Sequence, residues 1–175
     1  AFSINKANQA ITFGALPELT YSPSGTSNLS ATSSSGLTVT YSSSNTAVAT
    51  VSGSTLSIIG AGSTTITASQ AGNDNYNAAT SVAQSLTVSK ANSSITATGS
   101  SSFTYTGSAQ GPATSTVTGS GAVTYSYSGV SPTVYSASST APTNVGTYEL
   151  IASVAADANY NAATSAALAF SISAK

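Results

Sequence analysis

The stretch NYNAATSVAQSLTV, residues 75–88, joins a polar turn to a segment in which apolar and polar side chains alternate. Its first seven residues return unchanged at 159–165, which is 84 positions later. The triplet Lys-Ala-Asn behaves in the same way, because it occupies 6–8 and again 90–92. Self-similarity at a fixed period makes the repeat, and not the whole chain, the unit that folds.

The two ends of the chain extend the same pattern. Residues 1–4, AFSI, match residues 169–172, two periods away. We therefore expect residues 1–5 to be the last strand of a preceding repeat, and the chain to be a segment of a longer array. Two complete domains are predicted over 6–89 and 90–175, each long enough to bury a core.

Alternation of apolar and polar residues is the dominant pattern of the chain. It is clearest over 82–88 and 166–172, and it describes strands with one face in a core and one in water. Shorter segments of this kind, separated by Gly, Pro, Asn and Ser, include 29–32, 95–98 and 133–136. About seven short strands in each repeat predict an all-β fold of two tandem immunoglobulin-like β-sandwich domains, mainly antiparallel.

The composition excludes several classes of function. Because the chain has no Cys and no His, it has no disulfide, thiol nucleophile or imidazole base, and it lacks the usual zinc ligands. A net charge of −1 offers nothing to a phosphate backbone, so no nucleic-acid partner is expected. No apolar run approaches the roughly 18 residues of a membrane span, and we expect no membrane insertion.

Residues for catalysis and cofactor binding are scarce. The four carboxylates, Glu18, Asp74, Glu149 and Asp157, are spread over both repeats, and no imidazole is available as a base. We therefore predict that the protein is not an enzyme, has no catalytic residue and needs no cofactor. The lysines stand at the predicted domain joints and not inside apolar strands, which favours a solvated joint over an isopeptide crosslink.

The repeated loop offers oxygen ligands for a metal ion. Residues 72–77 contain Asp74, and residues 157–161 contain Asp157. Calcium takes about six to eight oxygen ligands and usually several carboxylates, whereas each loop brings one. Asn and Asp also favour turns by hydrogen-bonding their own backbone. We therefore predict a structural turn and no metal site, with calcium as the alternative.

The same loop is expected to build the joint between the domains. In an immunoglobulin-like sandwich the loop before the last strand lies at the end where the chain enters the domain. The loop 157–162 should then touch the linker near Lys90 or the far tip of the first domain, and Tyr160 has the largest area for such a contact. The predicted joint residues are Lys90, Ala91, Asn92, Asp157, Asn159, Tyr160 and Asn161.

Two groups of motifs resemble known bacterial repeats. YSSSNTAVATV at 41–51 and IGAGSTTITA at 59–68 resemble the bacterial immunoglobulin-like (BIg) repeats of large surface proteins. FTYTG at 103–107, VTYSY at 123–127 and APTNVGTY at 141–148 are similar to the related MBG-type repeats. The resemblance implies a bacterial Ig-like domain followed by an MBG-type domain, in an exported protein of the bacterial cell surface.

These features together favour a structural function. We expect stalk or spacer repeats of an extracellular, adhesin-like bacterial surface protein, which project distal regions from the cell and have neighbouring repeats as partners. One alternative is a fimbria-like filament, in which identical subunits assemble by strand addition through residues 1–4. Another is a module that binds a glycan or a surface through Ser/Thr faces or tyrosine rings, although most tyrosines are expected in the core.

Overall fold

The computed structural model describes residues 2–175, and none of these residues lies in a helix. Accordingly, the described chain has no helix long and apolar enough to cross a membrane. The chain separates into two compact units, with the boundary between Ala91 and Asn92. We call them unit 1, which ends at Ala91, and unit 2, Asn92–Lys175. Both are β-sandwiches, so the predicted all-β fold of tandem immunoglobulin-like domains is confirmed.

Unit 1 is built on a sheet with the strand order β2-β9-β8-β5. Over the described residues its strands are β1 (Ile11–Thr12), β2 (Leu19–Thr20), β3 (Thr26–Asn28), β4 (Thr32–Ser33), β5 (Thr40–Ser43), β6 (Ala49–Ser52), β7 (Thr55–Ile58), β8 (Gly62–Ser69) and β9 (Val82–Ser89). The long strands β8 and β9 pair antiparallel, whereas the short edge strand β2 pairs parallel with β9. The second layer consists of the sheets β3-β7-β6 and β1-β4.

Unit 2 is built on a sheet with the strand order β12-β18-β15-β14, and β17 also pairs with β15. The strands of this part of the chain are β10 (Ala91–Asn92), β11 (Ile95–Thr98), β12 (Ser102–Thr104), β13 (Thr114–Val117), β14 (Val123–Gly129), β15 (Gly146–Val154), β16 (Tyr160–Asn161), β17 (Ala163–Thr164) and β18 (Leu168–Ser173). The sheet β11-β13 covers the other side of the core, and β10 pairs with β16.

The strand ladders of the two units have the same register, displaced by 84 residues. Leu19 pairs with Val88 in unit 1, and Phe103 pairs with Ile172 in unit 2. The same displacement relates Ile11↔Ser33, Tyr41↔Ala68 and Gly62↔Val88 to Ile95↔Val117, Tyr125↔Ala152 and Gly146↔Ile172. The sequence repeat is therefore also a repeat of hydrogen-bond register, which keeps corresponding side chains on the same face of the sheet.

Each unit encloses its own apolar core. In unit 1 the central side chains are Ile11, Phe13, Leu29, Val48, Leu56, Ile66, Leu86 and Val88. In unit 2 they are Ile95, Tyr127, Tyr148, Leu150, Val154, Phe170 and Ile172. Along β15 every second residue from Tyr148 to Val154 is buried, as the alternating sequence predicts. Phe170 stacks on Tyr148 with a centroid distance of 5.5 Å and meets the ring edge of Tyr127 at 6.1 Å.

The strand predicted over 29–32 is interrupted between β3 and β4. The Tyr41 hydroxyl takes the place of a strand neighbour there: it accepts from the Ala31 N–H at 2.6 Å and donates to the Ala31 carbonyl at 3.4 Å. In unit 2 the corresponding Tyr125 hydroxyl lies 3.1 Å from the Ser115 hydroxyl instead. The Ser115 side chain thus gives the Tyr125 hydroxyl a hydrogen-bond partner, and β13 continues through Ser115 without interruption.

The strand predicted over 133–136 is wrong, because this segment forms a loop. The Thr133 N–H donates to the Val130 carbonyl at 2.9 Å, which closes a turn. Pro132 has no N–H to give to a ladder. Val134, which alternation would place in a core, is 96% exposed.

The segment predicted as the last strand of a preceding repeat forms no strand over residues 2–5. Phe2 is 91% exposed and Ile4 is 83% exposed. Ala1 lies outside the described residues. The matching side chains in β18, Phe170 and Ile172, are buried.

The chain crosses each unit from one end to the other. In unit 1 the Ala7 N–H donates to the Asn75 carbonyl at 2.8 Å, so Ala7 lies beside the turn that precedes β9. Strand β9 then runs from this turn to the opposite end of the unit. We call the end with this turn the N-pole and the opposite end the C-pole. The N-poles are formed by residues 4–8 and 72–77 in unit 1, and by Asn92, 117–121 and 155–161 in unit 2. The C-poles are formed by residues 43–47 and 59–62 in unit 1, and by 129–135 and 143–147 in unit 2.

A fragment of residues 6–89 is expected to fold alone, because all nine strands of unit 1 lie inside it. Far-ultraviolet circular dichroism should show one cooperative thermal transition. Within this fragment Leu86→Ala should lower the free energy of unfolding by about 2–5 kcal/mol, since it leaves a cavity in the core. A fragment that stays unfolded while the whole chain folds would contradict the predicted limits of the repeat.

Candidate functional site

The N-pole of unit 1 is a turn closed by Asn73. The Asn73 side-chain oxygen accepts from the N–H groups of Asn75 at 2.8 Å and Tyr76 at 3.0 Å, and the Asn73 N–H donates to the Tyr76 carbonyl at 3.0 Å. The Asn77 amide donates to the Asn8 side-chain oxygen at 2.9 Å. The two repeated phrases, Lys-Ala-Asn and Asn-Tyr-Asn, therefore recur together because they bind each other.

The N-pole of unit 2 has the same geometry with an aspartate in place of Asn73. One carboxylate oxygen of Asp157 accepts from the N–H groups of Asn159 and Tyr160, both at 2.7 Å. The Asn161 amide donates to the Asn92 side-chain oxygen at 3.0 Å. Asp157 thus corresponds to Asn73, and the neighbouring Asp74 of unit 1 has Ala158 as its counterpart.

The second carboxylate oxygen of Asp157 holds another loop. It accepts from the N–H and from the hydroxyl of Ser120, each at 2.8 Å. Close approach of the two loops requires a glycine beside Ser120, because a Cβ on Gly121 would lie 1.9 Å from the Ala155 carbonyl oxygen. Unit 1 has Gly36 where unit 2 has Ser120, so this clamp is a property of unit 2.

These hydrogen bonds set the charge state of Asp157. The N–H groups of Ser120 and Asn159, and then the Ser120 hydroxyl and the Tyr160 N–H, lower the pKa of this carboxyl far below its ordinary value, against the opposing effect of desolvation. Every donor binds the ionised form. A cation at this loop would have to displace these donors, and the described residues contain no group of three metal-ligating side chains.

The structure brings together five of the seven predicted joint residues within unit 2. Asn92, Asp157, Asn159, Tyr160 and Asn161 form its N-pole. The unit boundary falls inside β10, so Ala91 is the last residue of unit 1 although it shares this strand with Asn92, and Lys90 precedes it. That these residues form a joint between the domains stays a prediction.

The C-pole of unit 1 is organised around a buried threonine. The Thr64 hydroxyl accepts from the Asn45 N–H at 3.0 Å and lies 2.9 Å from the Ser43 hydroxyl. The Ser44 hydroxyl accepts from the Thr65 N–H at 2.9 Å. The BIg-like motifs SSN and STTITA therefore meet in the fold and satisfy each other's polar groups.

The C-pole of unit 2 uses a tyrosine at the position that corresponds to Thr64. The buried Tyr148 donates its hydroxyl to the Asn144 carbonyl at 2.8 Å, the arrangement known as a tyrosine corner in immunoglobulin-like sandwiches. Tyr135 meets the Tyr148 ring edge-on at 5.9 Å, and its hydroxyl donates to the Thr140 carbonyl at 2.7 Å. The MBG-like motif APTNVGTY thus closes the C-pole of unit 2 with a tyrosine, where unit 1 uses a threonine.

Exposed large apolar side chains of the described residues concentrate at the poles. They are Phe2, Ile4, Ile59, Tyr105, Val117, Val130, Val134 and Val145. Three of these eight, Val130, Val134 and Val145, lie at the C-pole of unit 2, and Val134 and Val145 line a cavity of about 370 Å³ there. Sequence reasoning missed this cluster, since Val134 was assigned to a strand.

The sheet faces are covered by hydroxyl groups instead. Outward positions of β5, β8 and β9 in unit 1 are Thr40, Ser42, Ser63, Thr65, Thr67, Ser69, Ser85 and Thr87. Beside them the Glu18 carboxylate accepts a hydrogen bond from the Ser89 hydroxyl. On unit 2 the Glu149 carboxylate accepts from the Ser128 hydroxyl at 3.0 Å.

Comparisons with known proteins assign the chain to no family. No family model matches the chain, and no curated protein sequence matches it significantly. A crystal structure of Drosophila N-cadherin EC1-3 is similar with a TM-score of 0.32 and 9% identity, over 98% of this chain and 67% of that one. A structure of Drosophila N-cadherin EC1-4 gives a TM-score of 0.32 and 10% identity, over 97% of this chain and 49% of that one.

Asp157→Asn is expected to lower the Tm of unit 2 at pH 7, because the amide keeps the turn but loses the charge-assisted bonds to Ser120. The folded-state pKa is depressed, so this stability is present above the unfolded value of 3.8 and is lost as the pH falls below it. The difference in Tm between wild type and variant should therefore shrink below about pH 4. Asn73→Asp in unit 1 is the control, and a pH-independent difference at Asp157 would contradict the clamp.

Chelation is expected to leave the protein unchanged. Asp157 is occupied by hydrogen-bond donors, and Asp74 is a single carboxylate in its loop. Melting curves with EDTA, with added calcium and with neither should coincide. A Tm that falls by more than a few degrees in EDTA would show that the loops hold a cation.

Proposed function

We propose that this chain consists of structural stalk repeats from an adhesin-like protein of the bacterial cell surface. The observation that carries the proposal is the path of the chain, which enters each unit at its N-pole and leaves at its C-pole. Domains with termini at opposite ends add length when they are joined in series. A strand of eight residues, such as β9, spans about 26 Å at about 3.3 Å per residue.

The distribution of side chains supports the same function. Hydroxyl groups cover the sheet faces, while apolar side chains are exposed at the poles, where neighbouring repeats of the same chain follow one another. Neighbouring repeats are therefore the proposed partners. No catalytic role is proposed, since the four carboxylates are scattered and the chain has no His or Cys.

The proposed location rests on the motifs. SSN with STTITA, and APTNVGTY, resemble exported bacterial repeats. The first pair joins the turn after β5 to β8, and APTNVGTY forms the turn that leads into β15. Motifs with a defined structural role at one fold position support membership of these repeats more strongly than scattered matches would. We accordingly propose a bacterial BIg-type unit followed by an MBG-type unit outside the cell.

Two other functions have specific observations in their favour. The rows of hydroxyls on β5, β8 and β9 favour a glycan- or surface-binding module, which a glycan array would detect. The exposure of Phe2 and Ile4 favours a filament subunit that donates residues 1–4 to another sheet. Against strand donation, β18 already fills the corresponding place in unit 2.

A stalk requires a joint that holds its angle, and the Asn-Tyr-Asn turn of unit 2 is the proposed element. Tyr160→Ala should broaden the distribution of distances between the two units in small-angle scattering, without lowering the Tm of either core. Tyr76→Ala, the matched control at the N-pole of unit 1, should leave this distribution unchanged. Equal broadening in both variants, or a wild type that already behaves as two freely jointed domains, would contradict the stalk.

A further inference from the structure

We propose that Asn28 in unit 1 accepts an N-linked glycan, transferred from a sugar diphosphate, and that Asn92 in unit 2 does not. The chain contains two Asn-x-Ser sequons, NLS at 28–30 and NSS at 92–94. This pattern is the acceptor signal for N-glycosylation when it lies on the surface of an exported protein. The inference therefore rests on the proposed location outside the cell, and it adds a modification that the stalk does not require.

The sequon of unit 1 is open to an enzyme. Asn28 ends β3, which is an edge strand of the sheet β3-β7-β6, and both Asn28 and Ser30 are exposed. Leu29 between them is buried, and its N–H donates to the Ser54 carbonyl at 2.8 Å. Alternation about this anchored residue turns the two polar side chains to solvent. Neither side chain hydrogen-bonds to another residue of the described chain.

The sequon of unit 2 is also exposed at Asn92, but its groups are engaged. The Asn92 side-chain oxygen accepts from the Asn161 amide at 3.0 Å, and β10 pairs with β16 along the same contact. The Ser94 N–H donates to the Thr118 hydroxyl at 2.8 Å, and the two hydroxyls lie 3.1 Å apart. The Ser93 hydroxyl oxygen is buried. Exposure alone therefore does not separate the two sites, whereas the hydrogen bonds do.

The chemistry of the transfer explains why these hydrogen bonds matter. The side-chain nitrogen of the asparagine forms a bond to the anomeric carbon of the sugar, the bond from that carbon to the diphosphate oxygen breaks, and the diphosphate leaves with the electron pair. The nitrogen loses one proton to a base of the transferase, so the product is a neutral amide. The asparagine side chain must turn into the enzyme to react, and the serine two residues later must be free to bind the enzyme. Asn28 and Ser30 meet both conditions, and the corresponding groups of unit 2 meet neither.

The position of Asn28 suits a glycan on a stalk. Asn28 pairs with Thr55 of β7 in the second layer of unit 1, and it belongs to neither pole. A bulky hydrated group there covers a side of the unit and leaves both ends free for neighbouring repeats. The residue 84 positions later is Pro112, which is buried and whose carbonyl accepts from the Tyr127 hydroxyl at 2.8 Å. The site is therefore a property of unit 1 and not of the repeat.

Peptide mapping of the protein isolated from the cells that produce it tests the proposal. Trypsin cuts after each lysine and releases the fragments 7–90 and 91–175, so each sequon lies in a different fragment. Mass spectrometry should find sugar on 7–90, attached at Asn28, and no sugar at Asn92. A single added sugar indicates a nucleotide-linked donor, and a preassembled oligosaccharide indicates a lipid-linked donor.

Three variants produced in the same cells identify the acceptor. Asn28→Gln should remove the added mass, because the sequon then lacks its asparagine. Ser30→Ala should remove the mass as well although Asn28 remains, since the hydroxyl of the sequon is lost. Asn92→Gln is the matched control and should leave the mass unchanged. The Asn28 side chain makes no hydrogen bond within the described chain, so Asn28→Gln should still fold, which circular dichroism checks.

Three outcomes overturn the proposal. They are an unmodified fragment 7–90, equal modification of both sequons, and sugar that survives Asn28→Gln, which would place it on a serine or threonine hydroxyl. None of these results bears on the stalk, which is tested by the scattering of the Tyr160 variant. Freely jointed units that carry sugar at Asn28 would remove the stalk and leave the modification standing, so the two proposals fail separately.

Discussion

The antiparallel pairing of the last two long strands is the constraint on which each unit depends. It runs from Gly62↔Val88 in unit 1 and from Gly146↔Ile172 in unit 2, with a displacement of 84 residues. This ladder buries every second side chain, sends the last strand to the C-pole and leaves the connecting turn at the N-pole. The conserved spacing therefore preserves the core and the direction of the chain together.

The two units close corresponding loops with different side chains. Thr64 closes the C-pole of unit 1 with a hydroxyl network, whereas Tyr148 closes that of unit 2 with its ring and one hydrogen bond to the Asn144 carbonyl. At the N-pole, Asn73 closes the turn alone, while Asp157 also holds Ser120. The ladders keep the same register in both units, whereas the loops at the poles are closed by different side chains.

Sequence reasoning succeeded where one face of a long strand is buried and failed where loops decide the structure. Alternation predicted β9 and β18 because their side chains point in turn to core and water. It could not predict β2 and β12, since these short strands are defined by pairing with a distant partner. The N-pole turn was predicted from its repetition, but the C-pole was missed, since its apolar loop looks like a strand.

Low charge explains why the surface is divided in this way. With a net charge of −1, molecules of this kind have little electrostatic repulsion to keep them apart. Their solubility then depends on which groups the broad faces expose, and hydroxyls on those faces keep lateral contacts hydrated. Apolar side chains are tolerable only where the exposed area is small and the geometry admits one neighbour at a time. The ends of a sandwich meet both conditions, which agrees with the proposal that units of low net charge follow one another end to end.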